Sequence, residues 1–283
     1  MRRYRILHRT TYTYTGPVRL GPHTLRLRPR EGHDLRIEAS SLSIQPMACL
    51  RWHRDVEDNC LAVAIFKGTA ERLLIESAMT ILQYDHEPLD FLVEDAAVDY
   101  PFHYASGDRP ILDAYTSSYA ADPTGLLPQW TAKVWSPGEA IQSYALLKRL
   151  NLAIHQHVAY RQRTEPGVQA AAETLACAHG SCRDMAFLFM EAARSLNFAS
   201  RFVSGYSFTS LPPQEAGSTH AWAEVFLPGA GWKGFDPTQG VIVGDAHVPV
   251  SVGRMPDSVP PIAGTFSGGS QLMMDANVWI SEL

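Results

Sequence analysis

Through the first hundred residues the chain alternates apolar and polar positions. Tyr4, Ile6, His8, Thr10, Tyr12 and Tyr14 fall on every second position, and the same period returns at Leu25/Leu27, Leu35/Ile37 and Leu61/Val63/Ile65. A further segment, Leu73, Ile75, Ser77, Met79 and Ile81, repeats it. A period of two sends successive side chains to opposite faces, so these segments predict strands with one face buried. The clusters TGP, GPH, REGHD and VEDN read as the turns between them, which predicts an antiparallel sandwich or barrel. From Leu89 to Trp135 the period fades under Pro101, Gly107, Pro110, Pro123, Gly125, Pro128 and Pro137 nearby. That predicts a connecting stretch with one short helix and a domain boundary.

At Ser136 the pattern changes. Ser136, Pro137 and Glu139 make a capping box, and Ile141, Tyr144, Leu147, Leu150, Ile154 and Val158 follow at three- and four-residue spacing, predicting a long amphipathic helix. A second helix is predicted from Cys182, with Met185, Leu188, Phe189, Ala192 and Leu196 on one face. Phe187, Met190 and Ala193 widen that face until the helix is apolar nearly all round, which means burial. Asn197 is its expected stop, and ASRFVSGYSF reads as a strand. A Pro-, Gly- and Ser-rich loop from Thr209 to Ser218 then leads to a hairpin. Its first strand is His220–Leu227, its turn Pro228–Gly231, and its return Trp232–Phe235, stopped at Asp236-Pro237. His220 and Asp236 therefore sit at the open end of one hairpin. A plain four-residue turn pairs Leu227 with Trp232, which sets Asp236 opposite Ala223 and on the other face from His220. Bringing the two together needs a bulge at Gly229 and Gly231, or a swing of the chain after Phe235.

A chain of 283 residues, 46% apolar and 19% charged, can bury a sizeable core in one large or two ordinary domains. The net charge of -5 offers no general attraction to phosphate, and Arg26, Arg28 and Arg30 alternate with leucines as on a wet sheet face, which argues against nucleic acid as a partner. The basic start is followed by neither an apolar core nor a small-residue cleavage site, so no signal peptide is read there. No apolar run approaches the roughly 18 residues of a membrane helix. Four cysteines are too few for a disulfide scaffold. The expected compartment is a reducing cytoplasm.

The candidate chemistry starts at Cys182. A thiol in the first turn of a helix lies among unpaired N–H groups and the positive end of the helix dipole, which favours the thiolate. Gly180-Ser181 before it lets the chain turn and present amide donors to an oxyanion. A small buried residue at a helix start is the plain alternative. Cys177, His179, Cys182 and His220 offer a set of zinc ligands, but zinc knuckles carry a second close pair and here only His220 follows. A Cys177–Cys182 disulfide is conceivable in geometry and disfavoured in a reducing compartment. His220 alone fits a satisfied strand residue, and Asp236 before Pro237 fits a turn initiator. Taken together, Cys182, His220 and Asp236 supply a nucleophile, a base and a group to orient the base.

GSCRDMAFLFMEAARSLNFASRFVSGY and HAWAEVFLPGAGWKGFDPTQG resemble the Cys, His and Asp motifs of the bacterial transglutaminase-like superfamily, whose core is related to papain-like cysteine proteases. The resemblance runs from about Ser136 to Met255, and the N-terminal strands resemble the β-sandwich that precedes this core in many members, through LRLRPR and VEDN. It implies an α+β protein with a β-sandwich over 1–105, a connecting segment over 106–135, and a catalytic core with C-terminal strands over 136–283. It implies Cys182 as nucleophile, His220 as base and Asp236 as orienting carboxylate, with Tyr160 and Trp222 shaping the site or its oxyanion pocket. Asp184 reads as favouring the helix start. Leu196-Asn197-Phe198-Ala199 departs from the Gly, and often Pro, of many members, which bears on the helix end only. The implied activity is acyl transfer from a peptide or isopeptide carboxamide through a thioester, without metal or cofactor, on a peptide or protein substrate. Amine transfer to protein glutamine and a binding module without turnover are the alternatives.

Overall fold

The computed structural model describes residues 1–84, 89–118, 122–208, 217–268 and 272–283. The first part of the expected loop, residues 209–216, lies outside them. The chain opens with β1 (Arg2–Leu25), β2 (Leu35–Gln45), β3 (Ala48–Arg54), β4 (Cys60–Phe66) and β5 (Ala70–Gln83). It continues through α1 (Asp95–Val98), β6 (Asp99–Tyr100), α2 (Arg109–Thr116), α3 (Leu126–Val134), β7 (Ile141–Gln142) and α4 (Ser143–His157). Then come β8 (Ala159–Tyr160), α5 (Ala171–Cys177), β9 (His179–Gly180) and α6 (Cys182–Ser195). Strands β10 (Ser200–Ser207), β11 (His220–Leu227), β12 (Gly231–Asp236), β13 (Val241–Ile242) and β14 (His247–Gly253) follow, and β15 (Ile262–Ser267) and β16 (Leu272–Glu282) end the chain.

The N-terminal strands form a curled antiparallel sheet ordered β2-β5-β1-β4-β3. TGP and GPH are not turns, because β1 runs through both of them. Its register slips against β5 between Thr13 and Val18, and against β15 between Leu20 and His23. Extra residues at such slips bend a strand, so one half of β1 pairs with β5 and β16 while the other pairs with β4 and β15. Between the arms lies a core of Tyr14, Val18, Leu25, Ala62, Leu73 and Ile75. The alternation along β5 holds to the residue, with Leu73, Ile75, Ser77, Met79 and Ile81 all buried. In β4 Leu61 is buried as expected, but Ala62 and Ala64 are buried too and Ile65 is exposed, so the alternation shifts by one position after Leu61. Both final strands pair with β1, so the C-terminus returns to the N-terminal sheet.

Among the described residues of the connecting stretch there are three short helices where one was expected. Pro110 and Pro128 sit in their first turns, where a missing N–H breaks no helical bond. The helix expected at Ser136 begins at Ser143 instead. Gly138 has a φ of +92°, which no right-handed helix accommodates, and Ser136 to Glu139 close a turn. Ile141–Gln142 then pairs with Asp99–Tyr100, and Glu139 meets Arg149 at 2.6 Å.

Helix α6 matches its expected span and is buried almost all round, against α4, α5 and the sheet β13-β12-β11-β10-β14. Its end falls where expected. Asn197 takes the left-handed conformation at φ +61°, while the Phe198 N–H reaches back to the Ala193 carbonyl, a Schellman closure that Asn tolerates second only to Gly. The free edge of β14 is covered by the N-terminal half. Asn59, fully buried, donates to the Val252 carbonyl at 2.7 Å and accepts from the Val252 N–H at 2.8 Å, as a partner strand would. Among the described residues no helix is long and apolar enough to cross a membrane.

Candidate active site

Cys182 is the first residue of α6, half-buried, with Ser181 at the cap position. The start of this helix is clamped by Asp184, whose side chain is 0% exposed. Its Oδ2 accepts the Ser181 N–H at 2.8 Å and the Ser181 hydroxyl at 2.6 Å. Its Oδ1 accepts the Gln169 N–H at 2.8 Å and Arg163 at 2.7 Å. Burial pushes this carboxyl up, but the hydrogen bonds from Ser181, Gln169 and Arg163 outweigh it and hold it below its ordinary range. Asp184 is therefore a scaffold for the helix start, with both carboxylate oxygens taken up by Ser181, Gln169 and Arg163. Arg183 points elsewhere and donates to the Glu165 carbonyl.

The hairpin resolves its own register. Leu227 pairs with Gly231, so the turn holds three residues and not four, with Gly229 and Gly231 at φ +80° and +74°. Glycine supplies those positive φ values without strain. Removing one residue from the turn moves β12 by one position, and Phe235 rather than Asp236 lies opposite Ala223. Asp236 thereby falls on the His220 and Trp222 face, and Asp236 Oδ2 sits 2.7 Å from His220 Nε2. With Nε2 committed to Asp236, the other ring nitrogen is left for Cys182, which lies near enough to the imidazole for its charge to act on it.

His220 is 14% exposed and Asp236 is 0% exposed. Burial lowers the His220 pKa, but the hydrogen bonds to Asp236 and Cys182 and their charges overcome it and push it up to about 10. Burial likewise raises the Asp236 carboxyl, and His220 and His247 together pull it well below the carboxylate range. His247 is a participant the sequence reading missed. Its Nε2 lies 3.1 Å from the same Asp236 Oδ2, and the residue is 3% exposed. The other oxygen, Oδ1, accepts the N–H groups of Thr238 at 2.9 Å and Gln239 at 3.3 Å. The only sequence signal for His247 is a histidine opening the alternating strand HVPVSVG, eleven residues past Asp236, and nothing in that pattern ties it to the site.

Tyr160 is brought to the site by a two-residue parallel pairing of Ala159–Tyr160 with His179–Gly180. Its ring is exposed, and its phenol is raised by burial of the oxygen and by the charge of Cys182. Trp222 is fully buried behind His220, edge-on to the His247 ring at 5.2 Å. The zinc set does not converge. Cys177 is exposed, and among the described residues the His, Cys and carboxylate groups within ligand distance of one another are His220, Asp236 and His247. All four cysteines are free thiols.

Residues 129–237, which span Cys182, His220 and Asp236, match the model of the transglutaminase-like superfamily, and residues 4–81 match the bacterial transglutaminase-like N-terminal region. The chain belongs to the transglutaminase-like superfamily. Uncharacterized proteins of Mycobacterium tuberculosis and Mycobacterium leprae are similar to this transglutaminase-like chain along almost its whole length. The first is 28% identical over 302 residues, 98% of this chain and 91% of its own. The second is 23% identical over 299 residues, all of both chains. The crystal structure of a proposed cysteine protease from Cytophaga hutchinsonii has the same fold, with a TM-score of 0.73, 17% identity, and coverage of 100% of this chain and 91% of that one.

Proposed function

We propose that this transglutaminase-like protein is an enzyme that uses Cys182 for acyl transfer from a peptide or isopeptide carboxamide. The observation that carries the reading is the buried His220–Asp236 pair, Nε2 to Oδ2 at 2.7 Å, beside a cysteine at the first position of α6. A raised His220 holds a proton at neutral pH, and in this mechanism it takes that proton from the Cys182 thiol and keeps it for the leaving amine. The thiolate attacks the carboxamide carbonyl, forming a C–S bond and a tetrahedral oxyanion beside the N-terminal amides of α6. Collapse breaks the C–N bond, and the His220 proton leaves with the amine. The thioester that remains is resolved by water, activated by the now neutral His220, or by an amine. Water is the acceptor we favour, which makes the protein a peptidase or amidase. To Tyr160, exposed and with a raised phenol that feels the charge of Cys182, the proposal gives the role of donating to the oxyanion or lining the entrance. Asp236 orients the imidazole and stays ionised throughout.

The test is mass spectrometry of a peptide library incubated with the protein, with and without an added primary amine. Cleavage, deamidation and amine incorporation produce different mass changes, and all three must vanish in Cys182→Ala. Turnover that persists in that variant would sink the proposal. A folded protein that alters no peptide under any condition supports the non-catalytic binding module instead.

A further inference from the structure

A buried carboxylate that serves one histidine is here shared by two. The inference that follows rests on the reading of Cys182, His220 and Asp236 as a catalytic unit. Asp236 Oδ2 lies 2.7 Å from His220 Nε2 and 3.1 Å from His247 Nε2. The tautomer of His247 follows from its surroundings. Its Nδ1 is buried with no hydrogen-bond partner, and its Nε2 faces an ionised oxygen that can only accept. The proton therefore sits on Nε2, and His247 is a donor to Asp236. The ring has no freedom to leave. It stands edge-on against Trp222, its carbonyl accepts Gln83 of the N-terminal sheet at 3.1 Å, and its strand pairs with β10 at Ser207. Trp222 is itself pressed against Gly205, where a Cβ would come within 2.7 Å of the indole.

We propose that His247 is a positioning residue of this site, extending it to a chain of four, Cys182–His220–Asp236–His247. An ionised carboxylate with no access to water needs donors for its lone pairs. Thr238 and Gln239 satisfy Oδ1, while Oδ2 has to hold His220 in one orientation. The second donor pins Oδ2 from the far side, so that the carboxylate neither turns away from His220 nor takes up a proton. In this role His247 acts through Asp236, whose Oδ2 it meets at 3.1 Å.

The experiment compares His247→Leu, which removes the donor, with His247→Gln, whose amide N–H₂ reaches toward the position of Nε2. Each variant is melted to confirm that it folds, then alkylated with iodoacetamide at pH 6, and the rate at Cys182 is followed by peptide mass spectrometry. His247→Leu is expected to slow Cys182 by roughly tenfold or more, in line with the loss of one hydrogen bond to a charged group. His247→Gln should recover to within about threefold of the unaltered rate, since it restores that bond. A merely structural role lowers the melting temperature of both and leaves the labelling of the folded fraction alone. A folded His247→Leu that labels at the unaltered rate, or a His247→Gln that falls as far as Leu, overturns the proposal. If Cys182 in the unaltered protein labels no faster than Cys49 and Cys177, the underlying catalytic reading has failed instead.

Discussion

Replacing Asp184 by Asn removes one oxygen and one charge from the hub that fixes the start of α6. The carboxylate accepts four hydrogen bonds there, from the Ser181 N–H, the Ser181 hydroxyl, the Gln169 N–H and Arg163. An amide oxygen can serve one pair of these donors, and its N–H₂ then faces the other pair, donor against donor. Arg163, whose side chain is 15% exposed, also loses its partner at 2.7 Å. Breaking a buried charge pair on one side costs about 3–5 kcal/mol, more than a first-turn dipole contact worth about 0.3–1 kcal/mol, so burial decides the magnitude. For a chain of this size that becomes a fall in melting temperature of roughly 6–20 °C, at about 2–4 °C per kcal/mol. The assay is a thermal melt of Asp184→Asn beside the unaltered protein, with turnover measured well below both midpoints. The expected result is a large loss of stability with turnover retained in the folded fraction. A melting temperature within a degree or so of the unaltered protein would refute the hub, and a folded but inactive Asp184→Asn beside an active Asp236→Asn would reverse the two roles.

Asp236→Asn should lower kcat by one to several orders of magnitude, because an amide selects the wrong imidazole tautomer or fails to stabilise the imidazolium; a kcat within threefold of the unaltered enzyme contradicts this. Acid should weaken the fold through His8, which is buried, bonded to Tyr206 and Thr10, and lowered by desolvation to about 4. A histidine depressed in the folded state is protonated first in the unfolded chain, so stability is full above about 6.5 and falls until the folded group also titrates near 4. The gap of 2.5 pH units between 6.5 and about 4 corresponds to about 3 kcal/mol. His8→Gln should therefore lose less stability than the unaltered protein between pH 7.5 and 4.5 in chemical denaturation, and an equal loss refutes the assignment.

Much of the site was legible because its signals are local. Helix α6 announces itself through Met185, Leu188, Phe189 and Ala192 at helical spacing, and β11 through the run from His220 to Leu227. Such patterns depend on residues a few positions apart. The register of the hairpin was not legible, because a three-residue and a four-residue turn both fit Pro228–Gly231, and the single residue between them decides which face Asp236 occupies. The start of α4 misled for a similar reason. Ser136, Pro137 and Glu139 have the composition of a capping box, but Gly138 takes a positive φ and the chain first pairs with Asp99–Tyr100. TGP and GPH look like turns in sequence, and only the partners of β1 on both sides turn them into bends. His247 and the Arg163–Asp184 pair are contacts between distant segments, and no spacing encodes them. The same holds for β15 and β16, whose return to β1 joins the two ends of the chain.

The central claim, that Cys182 is a nucleophile activated by His220, is tested most directly by competitive alkylation of the native protein. Cys49 and Cys177 are exposed and Cys182 is only half-buried, so access alone ranks Cys182 behind both. Thiolate character ranks it first, since iodoacetamide reacts with the thiolate. With limiting iodoacetamide at pH 6, peptide mapping should find Cys182 modified well ahead of Cys49 and Cys177, and His220→Ala should abolish that lead. Labelling in the order of exposure, or a lead at Cys182 that survives His220→Ala, would contradict the account.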